Sequence, residues 1–150
     1  MAVLPALAVI AAAVLGGLAT PQGLASWYGT LAKPAWNPPN AVFGPVWTVL
    51  YVLMAVAGTR IALSGDPGAG KAMAWFYGQL ALNALWSWLF FAWQRPDLAF
   101  VEIVVLWLAI LATILAFARI DRPSAWMLVP YLAWVTFATI LNGAIWQLNR

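Results

Sequence analysis

The side chains of this sequence that could do chemistry include three polar residues spaced along one apolar stretch. Gln79, Asn83 and Ser87 recur every four residues, which places them on one face of a helix. An amide surrounded by hydrocarbon is costly unless it finds a hydrogen-bond partner, so we expect these residues to face the interior of a helix bundle. They would act there either as polar contacts between helices or as the polar groups of a ligand pocket. The spacing alone leaves both readings open.

Aromatic side chains share a helix face in two other stretches. The two faces consist of Phe43, Trp47, Tyr51 and Met54, and of Tyr131, Trp134, Ala138 and Asn142. Eleven tryptophans in 150 residues is an unusual number, so the aromatic character of these faces is a main feature of the chain. Together with the polar stripe, the faces predict an aromatic-walled pocket that would stack a flat ligand.

Several classes of chemistry are excluded by composition. The chain contains no histidine and no cysteine, so it cannot form a metal site, a general base or a haem ligand from those residues. No metal site is predicted. Glu102 is the one acid well inside an apolar stretch, which makes it a functional candidate by default. Its place near a helix amino terminus favours a structural role, in which the helix dipole stabilises the carboxylate.

The overall composition indicates an integral membrane protein in one domain. Hydrophobic residues make up 65% of the chain and charged residues 7%, whereas soluble domains carry about 45–50% and about 25%. The net charge of +3 comes from scattered residues, which does not fit a nucleic-acid-binding face. The distribution of basic residues weakly favours a cytoplasmic amino terminus.

Five apolar stretches are close to the length that a bilayer requires, so the sequence predicts an all-α bundle of five transmembrane helices. The predicted spans are residues 2–20, 41–63, 71–93, 98–119 and 124–148 of a single domain, 1–150. The first lacks a positive leading segment and is longer than the apolar core of a signal peptide, so we expect it to be retained. Asp97 is predicted to cap the helix of the fourth span.

The connection between the first two spans, residues 21–40, is unusually long. It is rich in aromatic residues and prolines, so disorder is not expected. One interpretation is a lid folded over one mouth of the bundle. The other is a belt of aromatic residues at the depth of the lipid headgroups. We call residues 21–40 the lid segment below.

Small residues at four-residue spacing could allow two helices to approach closely. They are Ala8, Ala12 and Gly16, and Ala74 and Gly78. They would serve packing within the bundle or contact between two copies of the chain.

Three blocks of residues, in order along the chain, resemble the TspO/MBR family of tryptophan-rich sensory proteins and translocator proteins. The blocks are Trp36 to Pro39 with Phe43, Trp47, Leu50 and Tyr51; Gln79 to Asn83 with Trp86, Phe90 and Phe91; and Pro130 to Trp134 with Phe137, Ala138, Leu141 and Asn142. The resemblance covers essentially the whole chain. It implies a five-helix bundle, commonly a homodimer, with a ligand pocket beneath the first loop.

Ligands of this family are tetrapyrroles such as protoporphyrin IX and haem, synthetic hydrophobic compounds and, in animals, cholesterol. The resemblance implies that porphyrin or haem would be a ligand here and that no cofactor is required. The implied binding residues are Tyr28, Trp36, Pro38, Trp47, Tyr51, Asn83, Phe90, Trp134, Ala138 and Asn142. The family's cholesterol-associated tyrosine and basic residue are replaced by Gly143-Ala144 and Gln147, which argues against cholesterol and fits a bacterial membrane protein.

Three functions follow from this resemblance as hypotheses. The first is a tetrapyrrole sensor or regulator, with propionates near Lys33 or the mouth of the pocket. The second is transport or hand-off of porphyrin or lipid. The third is light-dependent porphyrin degradation, for which Trp47 and Trp134 would be the catalytic residues, since the sequence offers no conventional catalytic set.

Overall fold

The helical character predicted from the sequence is confirmed by the computed structural model, which describes residues 3–24 and 27–150. All regular structure in these residues is helical. The helices are α1 (Leu4–Ala19), α2 (Pro21–Leu24), α3 (Trp27–Thr30), α4 (Asn40–Ala62), α5 (Ala69–Ser87), α6 (Pro96–Ala118), α7 (Arg122–Met127) and α8 (Val129–Asn149). A π-helical turn, Trp88–Ala92, follows α5 directly.

Three segments are long and apolar enough to cross a bilayer. They are Asn40–Ala62, Pro96–Ala118 and the α7–α8 pair, Arg122–Asn149. The first predicted span forms a helix of 16 residues, with residues 1–2 outside the described part of the chain. At 1.5 Å per residue this helix is about 24 Å long, which is shorter than a bilayer core of about 30 Å.

One sequence prediction about a helix end is wrong, and one predicted span contains a break. The predicted span 124–148 lies within the apolar segment Arg122–Asn149, which consists of two helices that meet at Leu128, because Pro130 has no N–H to donate to the carbonyl of Trp126. Asp97 is not the cap of α6, since Arg95 occupies that position and Pro96 is the first helical residue. The Asp97 carboxylate instead accepts hydrogen bonds from Arg95, at 3.1 Å from Nε and 2.9 Å from Nη2.

The lid segment also contains more helix than the sequence predicts. It includes α2 and α3, and its last residue, Asn40, begins α4. Gly23 of α2 lies directly against the π-helical turn, where a Cβ atom at Gly23 would be 2.3 Å from the carbonyl oxygen of Phe91. Only glycine permits this approach of two backbones. The lid segment is thereby packed onto the end of the bundle.

Helix α5 packs against α1 and α6, and α6 packs against α8. Helices α1 and α4 meet where Gly58 lies against Pro5 and Phe76. A Cβ atom at Gly58 would be 2.8 Å from the ring of Phe76 and 3.1 Å from Pro5 Cβ. We call the end of the bundle that contains Gly58 the far end. We call the opposite end, which carries the lid segment, the lid end.

An ion pair joins two helices at the far end. Arg60 near the end of α4 donates two hydrogen bonds to Asp121, at 2.8 and 3.2 Å, and Ser124 donates a third. Arg60, and then Ser124, lower the pKa of the Asp121 carboxyl to about 2. This contact fixes the start of α7 against α4.

Candidate functional site

A cavity of about 630 Å³ lies at the lid end, between α1, α4, α5, α6 and α8. Its volume falls within the range of about 300–1,000 Å³ that is usual for small-molecule sites. The lining is mostly aromatic and aliphatic, and none of the described residues that line it is charged. The interior therefore suits a neutral, apolar ligand surface.

The structure brings eight of the ten predicted binding residues together around this cavity. They are Tyr28, Trp47, Tyr51, Asn83, Phe90, Trp134, Ala138 and Asn142. Phe43, which the sequence placed on the same face as Trp47, also lines it. The predicted aromatic wall consists of two groups of rings, with Phe43 6.0 Å from Trp134 and Trp47 5.5 Å from Tyr51.

The structure does not place Trp36 and Pro38 in the cavity wall. The Trp36 side chain is 48% exposed and its ring lies edge-on to Phe137, at 5.7 Å. Phe137 itself lines the cavity, so Trp36 stands one layer outside it. The Pro38 carbonyl accepts a hydrogen bond from Asn37 Nδ2 within the lid segment.

A chain of hydrogen bonds crosses three helices at the floor of the cavity. The Tyr51 hydroxyl donates to Asn83 Oδ1 at 3.1 Å, and Asn83 Nδ2 donates to the Tyr131 hydroxyl at 2.7 Å. Tyr131 donates in turn to Gln79 Oε1 at 2.7 Å. Gln79 and Asn83 are buried, so the prediction that the polar stripe faces the interior is confirmed. The stripe acts both as a contact between helices and as part of a cavity lining, because Asn83 belongs to both.

Replacing Tyr131 by phenylalanine is expected to lower the free energy of unfolding by roughly 1–3 kcal/mol. The variant leaves Asn83 Nδ2 and Gln79 Oε1 without their shared partner, and a hydrogen bond between membrane helices is worth about 0.6–2 kcal/mol. Thermal unfolding in detergent would measure the change. Tyr77→Phe is the control, since no hydrogen bond to another side chain involves that hydroxyl in the described residues. Equal effects of the two variants would contradict the network.

A second polar contact fixes the orientation of Asn142. Its Oδ1 accepts a hydrogen bond from Trp86 Nε1 at 2.9 Å, and its Nδ2 donates to the carbonyl of Pro96 at 2.9 Å. Trp86 lines the cavity but was not among the predicted binding residues. The sequence could have indicated Trp86 as a lining residue, because it lies three residues after Asn83 and therefore on the same helix face.

The π-helical turn supplies much of the aromatic lining near the lid. Within it, the Trp93 N–H donates to the carbonyl of Trp88, five residues earlier, at 2.7 Å. The wider turn buries three consecutive side chains, Leu89, Phe90 and Phe91. Single π-helical turns are often found at functional sites. Phe90 stacks on Trp86, with ring centres 5.0 Å apart.

Tyr28 closes the cavity from the side of the lid segment. Its side chain is buried, and its hydroxyl donates to Asn37 Oδ1 at 2.7 Å. Burial raises the pKa of the Tyr28 phenol, while the bond to Asn37 opposes that shift, so the phenol remains a donor. Lys33 Nζ lies 4.9 Å from the centre of the Tyr28 ring and donates to the Tyr28 carbonyl at 2.8 Å. Lys33 is thus held beside the lid, outside the cavity lining.

The lid segment is also joined to the last residues of α8. The Ala32 N–H donates to Asn149 Oδ1 at 2.9 Å, and Asn149 Nδ2 donates to the Ala32 carbonyl at 2.8 Å. Two opposed hydrogen bonds between the same pair of residues fix both distance and orientation. The lid is therefore anchored at both of its sides, to the π-helical turn through Gly23 and to α8 through Asn149.

Glu102 lies in the second turn of α6, next to the lining residue Ile103. Its side chain is buried, and neither carboxylate oxygen has a hydrogen-bond partner in the described residues. The stabilising effect of a helix dipole falls off within the first turn, so the dipole accounts for little of its placement. Glu102 does not line the cavity.

Comparison with known proteins identifies the family. The family model of the TspO/MBR family matches residues 4–147. The tryptophan-rich protein TspO of Chlorobaculum tepidum is 43% identical over 93% of this chain and 90% of its own length, and a tryptophan-rich sensory protein of Cereibacter sphaeroides is 42% identical over 93% and 85%. The human translocator protein is 36% identical over 83% and 75%. With its apolar helices, the chain is an integral membrane protein and belongs to the TspO/MBR family.

Proposed function

We propose that this protein is a membrane sensor or regulator that binds a tetrapyrrole in the cavity beneath the lid segment. The observation that carries the proposal is the cavity itself, which has aromatic walls, two oriented amides and no charged side chain among the described residues that line it. Stacking on tryptophan and tyrosine suits a flat conjugated ligand, at about 0.5–1.5 kcal/mol for each aromatic contact beyond burial. Relatives named tryptophan-rich sensory protein and translocator protein support a role in sensing or translocation.

The charge distribution around the cavity gives the ligand an orientation. A porphyrin that carries its propionates along one edge would place its apolar edge among the rings, because an unpaired carboxylate in the interior would be costly. The propionates would lie at the mouth, on the side of Lys33. The amides of Asn83 and Asn142 would orient the ring system, since each is already held by hydrogen bonds of its own.

The test is a titration of the detergent-solubilised protein with protoporphyrin IX in the dark, measured by tryptophan fluorescence. We expect saturable quenching with one ligand for each chain. Haem should bind within about tenfold of protoporphyrin, a difference of about 1.4 kcal/mol, because no histidine or cysteine is present to ligate iron. Quenching that never saturates would contradict the proposal. A haem affinity higher by several orders of magnitude would contradict the expected independence of iron.

The wider architecture that we propose is a bundle of five transmembrane helices that forms a homodimer in a bacterial cell membrane. The small residues Ala74 and Gly78 support contact between two copies, because both are exposed on α5. The absence of the animal tyrosine and basic residue at Gly143-Ala144 and Gln147 supports a ligand other than cholesterol. A Cβ atom at Gly143 would be 2.8 Å from the ring of Phe100, so a larger side chain there would require that ring to shift.

Hand-off of the ligand to the bilayer is the second candidate function. It is favoured by the exposure of one side of the cavity, where Gly17 and Gly44 both line the cavity and are exposed at the protein surface. A receptor and a carrier would share the binding site and differ in what happens after binding.

A further inference from the structure

The far end of the bundle carries four of the seven basic residues of the chain. They are Arg60 near the end of α4, Lys71 in the first turn of α5, Arg119 directly after α6, and Arg122 at the start of α7. Two loops meet at this end, since a Cβ atom at Gly68, just before α5, would be 3.8 Å from Ile120 Cδ1. The four basic side chains therefore extend from neighbouring loops and helix ends.

One of these four basic residues has an ionic partner, because Arg60 pairs with Asp121 at 2.8 Å. The other three are exposed, and no carboxylate in the described part of the chain lies within 4.0 Å of them. The remaining acid at this end, Asp66, accepts a hydrogen bond from the N–H of Gly68 at 2.7 Å. We call the three unpaired residues the cation cluster, and they are Lys71, Arg119 and Arg122.

Lys71 occupies a position that its own helix disfavours. It lies in the first turn of α5, where the positive end of the helix dipole destabilises a cation. That turn contains no acidic residue that could compensate. Arg122 is likewise the first residue of its helix. Contacts within the chain therefore do not stabilise these charges, and an anion outside the chain would do so.

The cation cluster lies where apolar, bilayer-length segments end. Arg119 directly follows the segment Pro96–Ala118, and Arg122 begins the segment Arg122–Asn149. Trp126 is 70% exposed and lies four residues after Arg122, so both side chains are on the same face of α7. An exposed tryptophan beside basic residues is typical of the boundary between hydrocarbon and lipid headgroups. The cluster is therefore at the depth of the headgroups.

The lid end has less unpaired positive charge. Arg95 pairs there with Asp97 at 2.9 Å. Lys33 Nζ donates hydrogen bonds to two backbone carbonyls of the lid segment, at 2.8 and 3.1 Å. Arg150 is the one basic residue at the lid end that has neither kind of partner in the described part of the chain. The far end has three such residues, so the two ends of the bundle differ.

We propose that the cation cluster binds the headgroups of anionic phospholipids of the bilayer. The two guanidinium groups present paired donors that match the oxygens of a phosphate, and the Lys71 ammonium adds a third positive charge. A zwitterionic lipid also carries a phosphate, but its own ammonium offsets that charge. The cluster therefore selects lipids with a net negative charge. It lies at the end of the bundle opposite the cavity, so the proposal does not depend on which ligand the cavity binds.

The test compares the retention of two lipids by the detergent-solubilised protein in native mass spectrometry. The lipids are phosphatidylglycerol and phosphatidylcholine with the same acyl chains. A basic residue near a membrane surface contributes a factor of about five to the binding of anionic lipid. We expect the unaltered protein to bind phosphatidylglycerol at least about tenfold more tightly than phosphatidylcholine. Most of this preference should be lost in a triple variant, Lys71→Gln, Arg119→Gln and Arg122→Gln.

Two further variants separate charge from structure. The conservative triple variant, Lys71→Arg, Arg119→Lys and Arg122→Lys, should keep the preference because it keeps all three charges. Arg95→Gln removes a cation that is already paired, so it should change the preference less than about twofold. Thermal unfolding in phosphatidylcholine should show that the glutamine variant is folded and no less stable, since Lys71 no longer opposes the dipole of α5.

Several outcomes would overturn the proposal. Equal retention of the two lipids by the unaltered protein would mean that the far end does not select anionic headgroups. A preference that the glutamine variant keeps would mean that phosphatidylglycerol binds elsewhere. A loss of preference that the conservative variant shares would mean that the shape of the surface, and not its charge, selects the lipid.

A competition experiment distinguishes a lipid from a soluble anion. Inorganic phosphate, added before the lipid in millimolar amounts, should leave most of the phosphatidylglycerol bound, because the free ion lacks the glycerol backbone and acyl chains that lie against Trp126 and the apolar helices. Complete displacement by inorganic phosphate would identify a site for a free anion and overturn the assignment to a lipid. Raising the ionic strength should weaken the preference for phosphatidylglycerol, since salt screens exposed charges.

Discussion

Phenylalanine in place of Ala138 is expected to abolish saturable protoporphyrin binding. Ala138 lines the cavity on α8, one helical turn after Trp134. A phenylalanine ring there would occupy the space that the ligand needs, and the surrounding rings are already packed against one another. We expect the dissociation constant to rise at least about 100-fold, which corresponds to roughly 2.8 kcal/mol. Quenching of tryptophan fluorescence, measured in the dark, would show the loss.

The control for this prediction is Ala133→Phe. Ala133 lies on the same helix but is exposed and does not line the cavity, so the added ring should leave binding unchanged. Thermal unfolding of both variants would establish that they fold. Equal saturable binding by Ala138→Phe and the unaltered protein would show that the ligand does not occupy this cavity.

Replacement of Gly58 by leucine is expected to have the largest effect on stability. Gly58 lies where α1, α4 and α5 come closest, with Phe76 and Pro5 within 3.1 Å of the position of a Cβ atom. Phe76 is fully buried and stacks on Phe117, so it has little room to move. Inserting side-chain atoms into a packed core costs about 1–3 kcal/mol and occasionally more. Leucine adds four carbon atoms, so we expect the loss in free energy of unfolding to reach the upper end of this range. Thermal unfolding in detergent would measure it.

Gly70→Leu provides the comparison, since Gly70 is also a helical glycine but its Cβ position meets no atom within 4 Å. That variant should be neutral or slightly stabilising, because leucine favours a helix more than glycine does. A similar loss of stability in both variants would show that close packing at Gly58 is not the cause.

The helices and the orientation of the polar stripe could be predicted from the sequence because both depend on local spacing. Continuous apolar stretches predict helices, and Gln79 and Asn83 must turn inward in any membrane bundle. The partners of the two amides could not be predicted. Tyr131 is 48 residues from Asn83 along the chain, and only the packing of α5 against the other helices brings them together.

Features that depend on backbone detail were missed. The π-helical turn gives no apolar periodicity of its own, so residues 88–92 read as a continuation of the preceding helix. The break at Leu128 and the position of Arg95 before α6 were also missed, although Pro130 and Pro96 lie beside them. A proline marks a helix boundary only to within a few residues. Here each boundary lies one or two residues before the proline.

Trp36 illustrates why the lid segment was the least predictable part of the site. The family resemblance of the block Trp36 to Pro39 implied that Trp36 is a binding residue. Its ring, however, lies outside Phe137 and is not part of the cavity wall. A loop has no fixed side-chain period, so the direction of an aromatic residue in it depends on contacts with distant helices. Tyr28 does line the cavity, because α3 turns that residue toward the π-helical turn.

The pair of hydrogen bonds between Ala32 and Asn149 has a consequence for how the protein is made. These two residues are separated by 117 positions, so Ala32 leaves the ribosome long before Asn149 does. A nascent chain can insert its first helices, but the cover over the cavity has no anchor on α8 until Asn149 has been added. Completion of the site therefore waits for the synthesis of α8, and a chain that ended before Asn149 would leave the cover held on one side only.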